Sequence, residues 1–376
     1  MRTAGVLLAC LAAVAAGCGS GSSDHTATSS TGAGRKDLTL SFGAYKSHAQ
    51  LTYPTTAGRH PAVVLIPGSG PEDLDANICF PPGNVLSHNF ADIAKYLTRR
   101  GYAVLRYDKH GVTGPCRGSL NTVPLPRLLS DAGMALAAAK NDPHVDARHV
   151  FVYGWSEGST VAAALVVAHP EVAGLIIQDG VVRPWKQVYS YQTLKLGIPY
   201  LRSLASDGRV TAAVLRQAAS GDGGGVTKGI LRYVAAPSSV QGHYAINPRL
   251  DTNHDGALEI DSEVVPAVPK VLGFLLSPTG PLHVYAPAQA LPVLSQQAAK
   301  LTLPVLYLQG QHDANVPAAG ATALQATLAS KDKTLRRYPG LGHSLGPAPS
   351  VIGDDFAPIA ARPLADLVRW LDKRRG

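Results

Sequence analysis

From residue 38 onward, short apolar runs alternate with longer segments in which apolar positions recur at helical spacing. Residues 62–66 are continuously apolar and end at Pro67, a pattern typical of a strand buried on both faces of a parallel sheet. The spacing predicts an antiparallel hairpin first and then strands alternating with helices. The predicted strands are 38–42, 50–53, 62–66, 102–107, 149–153, 174–178, 304–308 and 335–338, and the predicted helices are 90–99, 125–140, 160–168 and 363–373.

The alternation stops between residues 183 and 299, where helix-forming stretches and polar Gly-rich loops replace it. Repeated strand–helix–strand units favour a mostly parallel sheet with right-handed crossovers and helices on both faces. We therefore predict an α/β fold whose core comprises residues 37–182 and 300–376. Residues 183–299 are predicted to form an inserted, mainly helical cap.

The first 17 residues have the form of an export signal. A positively charged start precedes the apolar run 4–16, which is too short to span a bilayer as a helix. The closing Ala15-Ala16-Gly17-Cys18 resembles the lipobox of bacterial lipoproteins, although Ala15 stands where Leu is commonest. The resemblance implies that Cys18 is lipidated and that residues 18–36, rich in Ser, Gly and Thr, form a flexible tether. Plain secretion and an unrelated cysteine are the alternatives.

Composition narrows the class of protein. With 45% hydrophobic residues the chain is too apolar to be disordered, and its 38 Gly and 28 Pro follow no fixed period, which excludes collagen and solenoid architectures. The formal charge of +8 is spread along the chain rather than concentrated in blocks. We therefore expect no nucleic-acid partner.

The chain contains four cysteines, of which Cys79 and Cys116 remain once the leader and the lipidation site are set aside. Both lie in Gly/Pro-rich loops of a chain predicted to be exported, and disulfides persist outside the cytosol. We predict that they pair. The alternative is two free, buried thiols.

A possible nucleophile lies in Gly154-Trp155-Ser156-Glu157-Gly158, which has the form G-x-S-x-G. The string alone occurs often by chance, but here a predicted strand leads into it and a predicted helix follows. That context is what a strained strand–turn–helix nucleophile requires. Ser156 is therefore the predicted nucleophile.

A serine hydroxyl needs a base to accept its proton, usually a histidine oriented by a carboxylate. On such a sheet these partners follow the serine in the order acid, then histidine, each in a loop after a strand. Asp313 and His343 occupy those positions. Asp179, which follows the strand before the cap, is an alternative acid.

The negative charge that develops during acyl transfer requires two backbone N–H donors. One is expected at Glu157, directly after the nucleophile. The other is expected in the Gly-rich loop after strand 62–66, where we favour Ser69 over Gly70.

Three segments resemble those of a known superfamily. They are the G-x-S-x-G motif around Ser156, Gly68-Ser69-Gly70-Pro71-Glu72-Asp73 and Arg106-Tyr107-Asp108-Lys109-His110-Gly111. The resemblance is to the α/β-hydrolase superfamily, and more narrowly to its serine-aminopeptidase-like and dienelactone-hydrolase-like bacterial members. The resemblance implies the α/β-hydrolase fold and a carboxylic ester hydrolase more than a peptidase, with no cofactor required for catalysis. His110 departs from it, because relatives often carry Arg there.

One segment of the cap resembles the front half of a calcium loop. Asp251, Asn253 and Asp255 supply oxygens at positions one, three and five, and a glycine follows at six. Position twelve is Ser262, and Glu263 comes one residue late. A weak structural calcium site and a turn rich in Asp and Asn remain equal alternatives.

The leading hypothesis is an exported, lipid-anchored serine hydrolase of the bacterial cell envelope that cleaves carboxylic esters. Its expected partners are a small-molecule or peptide acyl substrate and, through the lipid, the membrane. Peptide hydrolysis or acyl transfer on the same acyl-enzyme is the second hypothesis. A non-catalytic envelope binding protein is the third.

Overall fold

An eight-stranded sheet forms the centre of the computed structural model, which describes residues 32–79, 85–118, 123–239 and 243–375. The strands, in chain order, are β1 (Ala33–Phe42), β2 (Tyr45–Pro54), β3 (His60–Ile66), β4 (Ala103–Tyr107), β5 (Val145–Trp155), β6 (Gly174–Gln178), β7 (Val305–Gly310) and β8 (Lys333–Tyr338).

The spatial order of the strands is β1-β2-β4-β3-β5-β6-β7-β8. Strand β2 is antiparallel to β1 and β4, whereas β4, β3 and β5 through β8 pair in parallel with their neighbours. The carboxyl ends of the parallel strands therefore lie along one edge of the sheet, where ligand sites of open α/β sheets form. The predicted α/β architecture with a mostly parallel sheet is confirmed.

Helices cover both faces of the sheet because their apolar stripes match its buried strands. On one face, α1 (Asn89–Thr98) buries Ile93 and Leu97 against the sheet. The other face is covered mainly by α2 (Leu125–Asn141) and α3 (Gly158–Ala168), and eight of the eleven residues of α3 are buried. Burial of one apolar stripe per helix is the main source of stability in such layers.

The cap separates β6 from β7 and contributes no strand to the large sheet among its described residues. It is mainly helical, and residues 198–264 contain a hydrophobic cluster of their own that includes Leu201, Leu215 and Leu258. Its α-helices are α4 (Trp185–Tyr191), α5 (Ile198–Leu204), α6 (Ala212–Ser220), α7 (Leu231–Val234), α8 (Val265–Leu275) and α9 (Leu294–Gln297).

The predicted boundaries mostly differ from the observed ones by a few residues. Strand β5 begins four residues earlier than predicted, and α10 (Ala319–Thr327), between β7 and β8, was not predicted. The last helix, α11 (Ala361–Asp372), buries its Leu-rich stripe on the same face as α1. Within the described residues, no helix is both long and apolar enough to cross a membrane.

Candidate active site

Ser156 occupies a sharp turn between β5 and α3. Its φ is +54°, in the left-handed region that non-glycine residues rarely adopt. The Ser156 N–H donates to the Gln178 carbonyl oxygen at 3.0 Å, which anchors the turn to the end of β6. Only 7% of the residue is exposed. A strained turn held by its surroundings is typical of a functional position.

The two glycines of the motif are required by close packing. A Cβ on Gly154 would lie 2.5 Å from the Gly158 carbonyl oxygen, and one on Gly158 would lie 2.5 Å from the Pro67 carbonyl oxygen. Both distances are far below normal van der Waals contact, and both obstacles are backbone atoms. The small residues therefore let the turn pack against the loop that follows β3.

His343 and Asp313 form a buried pair at the same edge of the sheet. The Nδ1 atom of His343 lies 3.0 Å from each Asp313 carboxylate oxygen, and both residues are 1% exposed. With Nδ1–H donated to the carboxylate, Nε2 is left as the basic nitrogen. Asp313 also accepts the backbone N–H groups of Asn315 at 2.7 Å and Val316 at 2.9 Å, which fix the carboxylate in place.

Backbone contacts tie His343 to the serine turn. Its carbonyl oxygen accepts the Trp155 Nε1–H at 3.0 Å and the Gln178 Nε2–H at 3.2 Å. Trp155 immediately precedes Ser156, and Gln178 binds the Ser156 N–H. The predicted nucleophile, base and acid thus lie in neighbouring loops. Within the described residues the Ser156 hydroxyl makes no hydrogen bond, and such contacts are often long before substrate binds.

Asp179, the alternative acid, lies beside this pair but does not bond to the histidine. It accepts the Gly310 N–H at 2.7 Å and the Gln309 Nε2–H at 2.8 Å, and Gln309 also donates to Asp313 at 3.1 Å. Burial, followed by the nearby Asp313 charge, raises the pKa of Asp179 well above its usual range. Asp313 is therefore the carboxylate positioned to orient His343.

One cluster of three His, Cys, Asp or Glu side chains in the described part of the chain has the spacing of a metal site. It consists of Asp179, Asp313 and His343, whose potential ligand atoms, one from each residue, all lie within 4.8 Å of one another. The histidine and Asp313 already satisfy each other through hydrogen bonds. This chemistry fits a proton-relay pair.

The two predicted oxyanion donors lie next to residues at the serine turn: Glu157 directly follows Ser156, and Ser69 follows Gly68, which packs against Ser156. In the described residues neither the Ser69 N–H nor the Glu157 N–H donates to another group of the protein. Glu157 directly precedes α3, whose N-terminus adds a partial positive charge. Gly68 lies against the nucleophile, since a Cβ there would be 3.3 Å from the Ser156 Cβ.

A buried charged network lies behind these donors and was not predicted from the sequence. Lys109 Nζ donates to the Gly68 carbonyl oxygen at 2.7 Å and to Glu157 Oε1 at 2.6 Å. Glu72 accepts the Gly68 N–H at 2.6 Å, and the Tyr285 hydroxyl donates to Glu157 Oε2 at 2.6 Å. The sequence signal was the presence of Glu72 and Lys109 in the two loop segments that resemble α/β hydrolases.

Asp354 is a second residue that sequence reasoning missed. Its carboxylate accepts the backbone N–H groups of His343 at 2.9 Å and Ala314 at 3.1 Å, so it stabilises the loops that carry His343 and Asp313. Burial raises its pKa. No local pattern marks Asp354, because it lies in an irregular loop before α11.

His110, where the sequence departs from its relatives, has a structural partner. Its Nδ1 lies 3.0 Å from Asp131 Oδ2 on α2, and its ring stacks on Tyr45 with 4.3 Å between ring centroids. The position thus fastens the loop after β4 to its surroundings.

The disulfide between Cys79 and Cys116 is present, with 6.0 Å between the two Cα atoms. Cys79 ends the short strand 77–79, which pairs antiparallel with 85–88, and Cys116 lies in the turn of the hairpin 112–118. The bond therefore joins the loops that follow β3 and β4. The predicted signal 1–17, the lipidation site Cys18 and most of the tether 18–36 lie outside the described residues.

The calcium-like loop folds around its own backbone. Asp251 accepts the N–H groups of Asp255 and Gly256, both at 3.2 Å, and Asn253 accepts the Asp255 N–H at 3.0 Å. Asp255 pairs with Arg209 at 2.8 Å. Oxygen ligands for a calcium ion are thus at hand, but the guanidinium already supplies a positive charge there.

A cavity of about 490 Å³ opens in the cap. Its lining is mostly apolar and includes Trp185, Leu272, Leu276, Leu291 and Tyr285. The Trp185 and Tyr285 rings stack with 3.9 Å between centroids. Tyr285 therefore lines the cavity with its ring and reaches Glu157 with its hydroxyl.

Comparisons with known proteins agree with this architecture. A profile of the family described as serine aminopeptidase, S33, matches residues 77–228 and 282–346, which together exceed half of the chain. Esterase EstD of Thermotoga maritima is 34% identical over 161 residues, which are 41% of this chain and 34% of that protein. The chain thus spans about a third of the curated relative's length.

Two solved structures share the fold. The α/β hydrolase GrgF from Penicillium sp. sh18 has a TM-score of 0.50 at 17% identity, with 92% of this chain and 99% of that chain covered. A hypothetical protein from Pseudomonas aeruginosa has a TM-score of 0.51 at 14% identity, with 92% and 95% covered. The chain belongs to the serine aminopeptidase S33 family of α/β hydrolases.

Proposed function

We propose that this protein is a serine hydrolase that cleaves carboxylic esters through Ser156, His343 and Asp313. The observation that carries the proposal is the buried His343–Asp313 pair, hydrogen-bonded to the segment of the strained serine turn. Membership of a hydrolase family and similarity to an esterase support it.

In this mechanism Ser156 Oγ attacks the acyl carbon while His343 Nε2 accepts its proton. Asp313 holds the Nδ1–H and stabilises the imidazolium that forms. The oxyanion is stabilised by the N–H groups of Ser69 and Glu157. The imidazolium then gives its proton to the departing alcohol, and a water molecule, deprotonated by the same histidine, releases the acid from the acyl-enzyme.

An ester is favoured over a peptide with a free amino terminus because an aminopeptidase must bind the substrate's ammonium group, usually through carboxylates. Near the site the buried carboxylates of Glu72, Glu157 and Asp354 already accept hydrogen bonds from the protein's own groups. They therefore offer no evident place for a substrate ammonium. Peptide hydrolysis and acyl transfer remain the second candidate, and the description of the matching family as a serine aminopeptidase favours peptide hydrolysis.

The test is labelling with a fluorophosphonate combined with substrate assays. We expect labelling of the wild type, loss of labelling in Ser156→Ala, and retention in Ser41→Ala, which alters an exposed serine on β1. p-Nitrophenyl esters of several acyl lengths should be hydrolysed, whereas aminoacyl p-nitroanilides should not. Labelling that persists in Ser156→Ala would refute the assignment of the nucleophile. Turnover of anilides alone would favour the peptidase.

We also propose that the protein is exported and anchored in the bacterial envelope by a lipid on Cys18. The support is the leader and the lipobox-like sequence before Cys18. Cys18→Ala should release the protein from the membrane fraction, whereas Cys10→Ala, within the apolar run, should not. Globomycin should block maturation of the wild type. Unchanged membrane association of Cys18→Ala would contradict the anchor.

A further inference from the structure

Charged side chains hold the two peptide groups on either side of the Gly68 Cα: Lys109 binds the Gly68–Ser69 peptide, and Glu72 binds the Pro67–Gly68 peptide. Lys109 Nζ donates to the Gly68 carbonyl oxygen at 2.7 Å, and Glu72 accepts the Gly68 N–H at 2.6 Å. Because a trans peptide is planar, its C=O and the following N–H point in opposite directions. A lysine that fixes the Gly68 carbonyl therefore also fixes the direction of the Ser69 N–H.

The same lysine holds the residue that supplies the second donor. Its ammonium lies 2.6 Å from Glu157 Oε1, while Glu157 Oε2 accepts the hydroxyl of Tyr285 at 2.6 Å. The side chains of Lys109 and Glu157 are only 8% and 2% exposed. One buried ammonium thus connects the two segments that carry the oxyanion donors, and a cap residue completes the connection.

We propose that Lys109, supported by Glu72 and Tyr285, is a positioning residue that aims the two backbone donors of the oxyanion hole. The inference rests on the proposed function and deepens it. Lys109 contacts no reacting atom and acts through the Gly68–Ser69 peptide and Glu157. Tyr285 links this alignment to the cap, because it also lines the apolar cavity.

The charges of the network give the proposal a pH signature. Glu72 faces Lys109, Glu157 and Asp73, and burial raises the pKa of Glu72 to about 8 in spite of the lysine. Below that pH, neutral Glu72 leaves the Lys109–Glu157 pair with no net charge. Above it, ionised Glu72 adds a negative charge beneath the site where the oxyanion forms, and this charge opposes the transition state.

The first test is Lys109→Met in ester hydrolysis. Misaligned donors should lower kcat by about 100-fold with little change in KM, because the lost interaction exists only in the transition state. The matched control is Lys140→Met, which breaks an ion pair with Glu171 elsewhere on the protein and should keep wild-type kcat. An unchanged kcat in Lys109→Met would overturn the proposal, whereas failure of the wild type to react would instead overturn the proposed function.

A second, more conservative substitution and its control test the proposal if Lys109→Met does not fold. Tyr285→Phe removes only the hydroxyl that binds Glu157, and it should lower kcat about 5- to 10-fold while thermal unfolding confirms a folded protein. Tyr102→Phe is the control, because that buried ring donates its hydroxyl to Asp372 outside the site. Equal kcat values in the two variants would contradict a role for Tyr285.

The pH dependence of kcat in Glu72→Gln is a further test, because a purely structural role of Glu72 would not change it. The wild-type kcat should fall as the pH rises through about 8, whereas Glu72→Gln, which cannot ionise, should keep its rate to higher pH. Glu171→Gln alters an exposed carboxylate and should keep the wild-type profile. An alkaline limb that is identical in Glu72→Gln and the wild type would overturn the linkage to Glu72.

Discussion

Replacement of Asp313 by Asn tests which acid orients His343, the proposed general base. The Asp313 carboxylate accepts four donors: the His343 ring, the Gln309 amide and the backbone N–H groups of Asn315 and Val316. In Asp313→Asn the remaining oxygen can keep the two backbone donors. The new NH₂ group then faces the histidine and Gln309, which are themselves donors.

The histidine can avoid this donor–donor contact only by moving its proton from Nδ1 to Nε2. Its Nε2 then cannot accept the serine proton, and the base is lost while the geometry is kept. In serine hydrolases such a change costs about 10⁴-fold in kcat. At about 1.36 kcal/mol per factor of ten, this corresponds to about 5.4 kcal/mol of transition-state stabilisation.

Asp179→Asn is the matched control, because Asp179 lies in the same cluster without bonding to the histidine. An amide matches the carboxyl group in shape, and its oxygen can accept the Gly310 N–H while its NH₂ group can donate to Asp313. We expect kcat to fall less than about tenfold. Initial rates of p-nitrophenyl ester hydrolysis, measured for folded variants at one pH, give both values. A larger loss in Asp179→Asn than in Asp313→Asn would refute our assignment of the acid.

Three further predictions concern stability. Removal of the disulfide in a Cys79→Ser/Cys116→Ser variant should lower the free energy of unfolding by about 3 to 4 kcal/mol, as measured by urea denaturation; a change below about 1 kcal/mol would contradict this estimate. Gly158→Ala should destabilise by about 1 to 3 kcal/mol because its Cβ meets backbone oxygens, whereas Gly229→Ala, with no atom within 4 Å of the added Cβ, should change stability little. Chelator or added calcium should shift the melting temperature by less than about 2 °C, because Arg209 already pairs with Asp255 and Glu259 of the calcium-like loop; a larger shift would establish a metal site.

Much of the sheet could be predicted from the sequence because its central strands are continuous apolar runs. The strand 174–178 has the same bounds in the prediction and in the structure. Helix α10 was missed because its Ala- and Thr-rich sequence has a weak apolar stripe. In the cap, short helices interrupted by glycine and proline follow no single period.

The order of the candidate catalytic residues was predictable because each follows a strand whose carboxyl end lies at one edge of the sheet. The network behind the oxyanion donors was not, because Glu72, Lys109 and Tyr285 come from three separate segments. Their contacts depend on how the cap packs on the core. Contacts between charged residues that are far apart in the sequence produce no periodic pattern from which they could be predicted.

The bond between Cys79 and Cys116 has a practical consequence for how this protein is made. It joins the two loops that contribute Gly68 and Lys109, so oxidation of the two thiols, which the proposed export would favour, fixes the segments beside the proposed oxyanion donors. Protein expressed in a reducing cytosol, without this disulfide, should have more mobile loops and a low specific activity until the two thiols are oxidised. Export would then act as the final maturation step.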